Sequence, residues 1–198
     1  MCVAASGPSA PVIVEALKGR ARLIVVNRTF EAAPWADVLY AADSGFWRVY
    51  SGAGRFSGLK LAPDATCKLY CPAVQLVEIK RRNGLRVNTM EFSRAGVIGG
   101  GLHSGFQALN IALQTGASVV YLAGFDYCAN HWHADHRDQL RNPMVHEVAR
   151  WRELLDAQAA VIEGRGLSVI NLSTVSTLRN FPRADCCAVS AGLTPLSV

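Results

Sequence analysis

The sequence predicts a single Rossmann-like α/β domain: a mostly parallel sheet with helices on both faces. Two observations carry that expectation. Short apolar runs alternate with helical stretches along most of the chain, the pattern of strand–crossover–strand units. Successive runs also end in polar residues or glycine: Gly7 and Ser9, Asn27, Asp43, Gly99–Gly101 and Asp126. Placed on one edge of a parallel sheet, those ends line one crevice, which is where open α/β sheets take their ligands.

The first run, Cys2–Ala5, opens into Ser6-Gly7-Pro8-Ser9, and Ala10–Lys18 has helical spacing with Ser9 as N-cap and Pro11 in the first turn. That turn reads either as a phosphate or ribose cradle or as an ordinary capped turn. Leu23–Val26 is a buried strand ending at Asn27. Pro34-Trp35 breaks the chain before the strand Val38–Ala42, which stops at Asp43. The helix Ser44–Tyr50 then carries Phe46, Trp47 and Tyr50 as core or pocket wall. Ser51–Gly58 is loop, Leu76–Ile79 is the best strand candidate of the following stretch, and Val97-Ile98 leads into three glycines. Ser104–Gln114 has an apolar helical face stopped by Gly116, and Val119–Ala123 is the next strand. Val145–Arg165 reads as one long helix and Leu167–Asn171 as the last strand. The domain is therefore expected over residues 1–182, with 183–198 a loose tail.

Composition narrows the function classes. With 51% hydrophobic and 18% charged residues, the chain is ordinary globular protein and long enough for a substantial core. No apolar run approaches the roughly 18 residues of a membrane helix. The first residues lack the basic start of a secretory signal. The expected location is the cytoplasm, a host cytoplasm if the chain is phage-encoded. Six cysteines without a metal-like second pair read as reduced, small apolar residues. The net charge of +5 raises a nucleic-acid partner, but only Lys80-Arg81-Arg82 clusters, so small anionic substrates are favoured. The aromatic helix face around Trp47 reads either as core or as an exposed dimer patch, which leaves a homo-oligomer open.

The stretch from Gly99 to His136 carries most of the chemistry. Glycines and Ser104-Gly105 at a helix start suit an anion, because free N–H groups and the helix dipole point there. The loop beyond Asp126 holds His131, His133 and His136, with Asp135 or Asp138 available to orient an imidazole as general base. These histidines read either so or as solvated loop residues. His131-Trp-His133-Ala-Asp135-His136 also matches the H-x-H-x-D-H metal motif of the metallo-β-lactamase superfamily. Only His146 follows it, however, so the further ligands of that superfamily are missing and no metal site is assigned, although neutral imidazoles and a carboxylate also suit zinc or manganese. His103 reads as structural, although it adjoins Ser104.

The strand followed by Gly-Pro-Ser, the strand ending in Asn27 and the run HSGFQALNIALQTGASVVYLAGFD together resemble the bacterial CMP-sialic-acid sialyltransferases. They are also similar to the archaeal 6-hydroxymethylpterin diphosphokinase-like proteins of the same fold. The Pro-Trp-Ala-Asp and His-Trp-His segments resemble small phage and prophage proteins. The resemblance covers residues 1 to 182. It implies that Gly7, Ser9, Asn27, Ser104 and Gly105 contact a nucleotide donor, and that a histidine of the 127–143 loop is catalytic. The loop lacks the paired tyrosines of the sialyltransferases, so sialic acid itself does not follow.

Three expectations result. The leading one is a nucleotide-dependent, glycosyltransferase-like enzyme that needs no metal. Donor phosphate would sit against the loops at Gly7–Ser9 and Gly99–Gly105, with Asn27 and Asp43 on sugar or base and His133 or His136 as base. The second is pyrophosphoryl transfer from ATP to a small hydroxymethyl acceptor, with Mg²⁺ on Asp43, Asp126 or Asp135. The third is a non-catalytic accessory protein that binds a nucleotide or a host protein.

Overall fold

The computed structural model describes residues 1–128, 131–133 and 140–196. In chain order its elements are β1 (Cys2–Ala4), α1 (Ala10–Ala16), β2 (Leu23–Val26), β3 (Val38–Tyr40), α2 (Ser44–Val49), β4 (Leu59–Ala62), β5 (Gln75–Leu76), β6 (Glu78–Ile79), β7 (Arg81–Arg82), β8 (Leu85–Arg86), β9 (Val97–Ile98), α3 (Ser104–Leu113), β10 (Val119–Ala123), α4 (Val145–Asp156), α5 (Ala159–Glu163), β11 (Ser168–Asn171) and α6 (Cys186–Gly192). Seven strands form one sheet in the order β11-β10-β1-β2-β3-β4-β5, and every neighbouring pair is parallel. The chain lays strands outward from β1 to β5, then returns to the other side of β1 as β10. The strand order therefore reverses between β1 and β10, which makes their carboxyl ends the switch point.

Strand alternation divides the interior into two cores. Cys2, Ala4, Leu23, Val25 and Leu39 face α1 and α2, where Ile13, Val14, Leu17, Phe46 and Trp47 meet them. Val3, Ile24, Val26 and Tyr40 point the other way, against Phe106, Leu109 and Leu113 of α3 and Leu155 and Ile162 beyond. Central strands buried on both faces must read as unbroken apolar runs, and these do. The two largest fully buried side chains have satisfied polar ends: the Trp47 indole donates to the Ala41 carbonyl at 3.1 Å, and the Tyr40 hydroxyl to Gln107 Oε1 at 2.7 Å.

Three expectations are corrected. The strand foreseen over 76–79 divides at Val77, whose N–H pairs with Ala62 while that of Glu78 pairs with Gly96, so the chain leaves the large sheet for a small one with β9. The long helix over 145–165 is two helices, α4 and α5, because Gln158 turns inward at the break and accepts from the Met90 N–H at 2.9 Å. The stretch foreseen as a tail contains α6, capped by Asp185 and packed on α1. Arg20 donates to the Ser190 and Leu193 carbonyls at 3.2 and 3.1 Å, and the Ser190 hydroxyl to Ala16. Among the described residues, no helix is long and apolar enough to cross a membrane.

Removing residues 183–198 exposes α1 and strands the Arg20 guanidinium. The melting temperature is then expected to fall by about 5 °C or more, from roughly 1.5–3 kcal/mol for charged hydrogen bonds and 2–4 °C per kcal/mol at this size. An unchanged melting temperature would restore the loose-tail reading.

Candidate functional site

A cavity of about 440 Å³ opens at the carboxyl ends of β1, β2, β3 and β10. Its floor is made by the residues that follow those strands: Gly7, Asn27, Asp43 and Gly124. Ser104 and Gly105, the first residues of α3, enter from above, and Val148 and Trp151 of α4 close the outer side. Of the residues expected from sequence to bind a nucleotide, Gly7, Asn27, Asp43, Ser104 and Gly105 all line this space. A crevice at the switch point is dictated by the topology, since loops on the two sides of β1 leave in opposite directions.

Ser9 and Asp126, expected beside them, are occupied with each other. Asp126 is fully buried, and its two oxygens accept from the Ser9 N–H at 2.8 Å and the Ser9 hydroxyl at 2.6 Å. A buried carboxylate requires such donors. The pair ties the loop after β1 to the loop after β10, with Gly7 N–H on Gly124 O at 2.9 Å as a second tie. A Cβ on Gly7 would lie 2.5 Å from both Asp126 Oδ2 and Gly124 O, so only glycine fits. Ser9 thus closes this junction instead of capping α1, to which its side chain makes no capping bond.

The three glycines at 99–101 are a close-packing device. A Cβ on Gly99 would run into the Thr89 carbonyl, one on Gly100 would lie 3.1 Å from the Cβ of Arg86, and one on Gly101 would overlap Phe106. They seat the 86–89 segment on the start of α3, and none of the three lines the cavity, which the expected 99–105 phosphate loop reaches only through Leu102, His103, Ser104 and Gly105. Asp43 lines the cavity while its Oδ1 caps α2 through the Gly45 N–H at 2.7 Å. The Ser104 hydroxyl donor-acceptor group accepts from the Ala42 N–H at 3.3 Å, joining α3 to the end of β3.

His103 has a defined role in this wall. Its Nδ1 accepts from the Phe106 N–H at 3.3 Å and so caps α3. Its Nε2 lies 3.1 Å from the Tyr127 hydroxyl, and its ring stacks on Trp151 with centroids 5.2 Å apart. Desolvation lowers its pKa to about 3, so the ring is neutral at physiological pH. A neutral imidazole accepting at Nδ1 carries its proton on Nε2. It therefore donates to the Tyr127 oxygen, leaving the phenol hydrogen for another acceptor. Burial, and then the Asp156 charge, push the Tyr127 pKa well above its ordinary value, which keeps that hydrogen in place.

The histidine loop is partly placed. His131 lines the cavity, whereas His133 is buried behind it with the rings stacked 4.9 Å apart. His136, Asp135 and Asp138 lie outside the described residues. Among the described residues, no cluster of three His, Cys, Asp or Glu is arranged to hold a metal ion. Sequence reasoning missed Arg86, Tyr127, Arg141 and Trp151, all on the cavity wall. Trp151 had a signal, since it lies three residues from Val148 on one helix face. Arg86 had none, because a two-residue strand pair outside the seven-stranded sheet carries it.

A doubly wound parallel sheet with a strand-end cavity is the Rossmann-like arrangement. Among solved structures, the MAf glycosyltransferase of Magnetospirillum magneticum AMB-1 matches all of this chain with a TM-score of 0.61 at 15% identity. The match covers 35% of that protein, so this chain spans about a third of its length. The sialyltransferase CstII of Campylobacter jejuni, in complex with a trisaccharide acceptor and CMP, matches 92% of this chain and 84% of its own, with a TM-score of 0.51 at 13% identity. A CstII variant in complex with CMP gives 0.52 over 91% of this chain and 84% of its own, also at 13% identity. At these identities the likeness is one of fold. By sequence, no family model and no curated protein matches the chain.

Two outcomes follow from this geometry. Gly7→Ala forces the Asp126 carboxylate or the Gly124 carbonyl to move, and is expected to lower the melting temperature more than an alanine at Gly192, which meets no neighbouring atom and, like Gly7, does not have a positive φ. Equal losses at Gly7 and Gly192 would mean that the junction is not tightly fitted. The His103 imidazole is expected to keep one set of ¹⁵N shifts, protonated at Nε2, from pH 8 down to about pH 4. Titration near the ordinary value of 6.5 would overturn the assignment.

Proposed function

We propose that this chain is a nucleotide-sugar-dependent glycosyltransferase of the metal-independent kind. The observation that carries the reading is the cavity wall made by Gly7, Asn27, Asp43, Ser104 and Gly105, which brings polar or backbone-exposing positions from four separate stretches of the chain to the switch point. The N-terminal N–H groups of α3 suit a donor phosphate. The strand-end Asn27 and Asp43 suit the hydroxyls of a sugar or ribose. His131, at the cavity, accepts the acceptor's hydroxyl proton as that oxygen bonds the anomeric carbon and the nucleotide leaves. Tyr127 lines the same space. The glycosyltransferase neighbours, two of them complexed with CMP, support the choice of ligand class.

The Mg²⁺-dependent pyrophosphoryl reading is less well served. Asp126 is committed to Ser9 at both oxygens, and Asp43 is committed to α2 at one. A non-catalytic nucleotide-binding protein would use the same cavity without needing His131.

A thermal-shift screen separates the three readings. The probes are CMP, UDP, GDP, ATP and CMP-, UDP- and GDP-sugars, each with EDTA and with Mg²⁺. A nucleotide or nucleotide sugar at 100 times its Kd stabilises by about 2.7 kcal/mol, and the transferase reading expects that shift in EDTA. A shift only with Mg²⁺ favours pyrophosphoryl transfer. A shift in EDTA without release of nucleotide from any sugar donor favours the nucleotide-binding protein, and no shift from any probe rejects both transferase readings and the nucleotide-binding one, leaving the host-protein partner.

A further inference from the structure

We infer that Trp132 is a positioning residue: it anchors the His131–His133 pair to the ends of β1 and β2 and so sets where the His131 ring stands in the cavity. The inference rests on the transferase reading for its kinetic consequence, but its geometry is independent of that reading.

The segment 131–133 belongs to no helix or strand, and a loop without its own ladder must be held by tertiary bonds. Trp132 supplies two. Its backbone N–H donates to the Ser6 carbonyl at 3.1 Å, and its indole N–H reaches the Thr29 hydroxyl at 3.4 Å. Thr29 is itself fixed: it is fully buried and its hydroxyl donates to the Ala5 carbonyl at 3.0 Å, with the Ser6 hydroxyl 3.3 Å away. One threonine oxygen thus gathers the loop after β1, the turn after β2 and the histidine segment. The ring of Trp132 also stands edge-on to His133, at 83° and 5.3 Å, and His133 in turn lies flat against His131, at 16° and 4.9 Å. The order is Thr29, Trp132, His133, His131, cavity. Rotating the indole away removes the wall against which the imidazole pair rests.

A tryptophan between two histidines has an ordinary alternative role, filling a gap in the protein. That role needs the ring but not the indole N–H. Trp132→Phe keeps a ring and loses the donor, whereas Thr29→Val keeps the shape and loses the acceptor, and Thr29→Ser keeps the hydroxyl. The four proteins are compared by imidazole ¹H–¹³C spectra and by release of CMP from CMP-N-acetylneuraminate. The expected result is that His131 and His133 resonances move in W132F and T29V and return in T29S. Turnover is expected to fall by roughly 10- to 100-fold in the first two, in kcat with KM for the donor little changed, the size expected of misplacing a reacting group by about 1 Å. T29S is expected to recover most of it. Imidazole resonances left in place by W132F and T29V overturn the proposal, as does a loss confined to KM. If the wild-type protein releases no CMP, the transferase reading fails with this donor, and the imidazole spectra alone still decide the anchor.

Discussion

The bond pair between Asp126 and Ser9 is the interaction on which the cavity depends. A parallel sheet brings the ends of β1 and β10 side by side but does nothing to join the loops that leave them in opposite directions. A fully buried carboxylate at that junction is tolerated only because both oxygens meet donors from Ser9. The requirement propagates. Gly7 must lack a side chain for the carboxylate to approach, and Gly124 at φ 66° must turn the chain where a Cβ would meet Ala5 and Ala10. The polar residues facing the cavity are then held at fixed spacing by a group that does not face it.

The start of α3 obeys a similar logic. A helix leaves its first N–H groups unpaired, and here one is taken by an imidazole in place of the usual serine or aspartate. The substitution has an electrical consequence: a capping imidazole that accepts at Nδ1 and is desolvated stays uncharged. It can therefore stand beside Trp151 and Tyr127 without placing a cation in the wall, and it passes its one hydrogen to the phenol oxygen. Helix capping and cavity polarity are settled by one ring.

Much of this was legible from the residues. The apolar runs at Leu23–Val26 and Val119–Ala123 and the residues after each strand fixed the sheet and its edge, because burial on both faces leaves an unbroken apolar signature. Five of the expected binding residues meet at the cavity for the same reason. What could not be read were the bonds between distant residues. Ser9 has the sequence of a helix cap, and only the approach of Asp126, 117 positions on, redirects it. The three glycines look like a phosphate loop, since close packing and anion binding both demand a missing side chain; the 86–89 segment that needs the space lies in the stretch with the weakest periodicity. The division of 76–79 at Val77 depends on partners, Ala62 and Gly96, that no local pattern announces.

The glycine seat has a consequence for how such a protein diversifies. The β7–β8 ribbon forms its own two-stranded pair, outside the seven-stranded sheet, and its last residue, Arg86, reaches the cavity across Gly100. A ribbon of another sequence resting on the same glycines would change the charge presented to a ligand while both cores and the Asp126 junction kept their contacts. The charge that Arg86 brings to the cavity wall is thus carried by a hairpin whose residues belong to neither buried core.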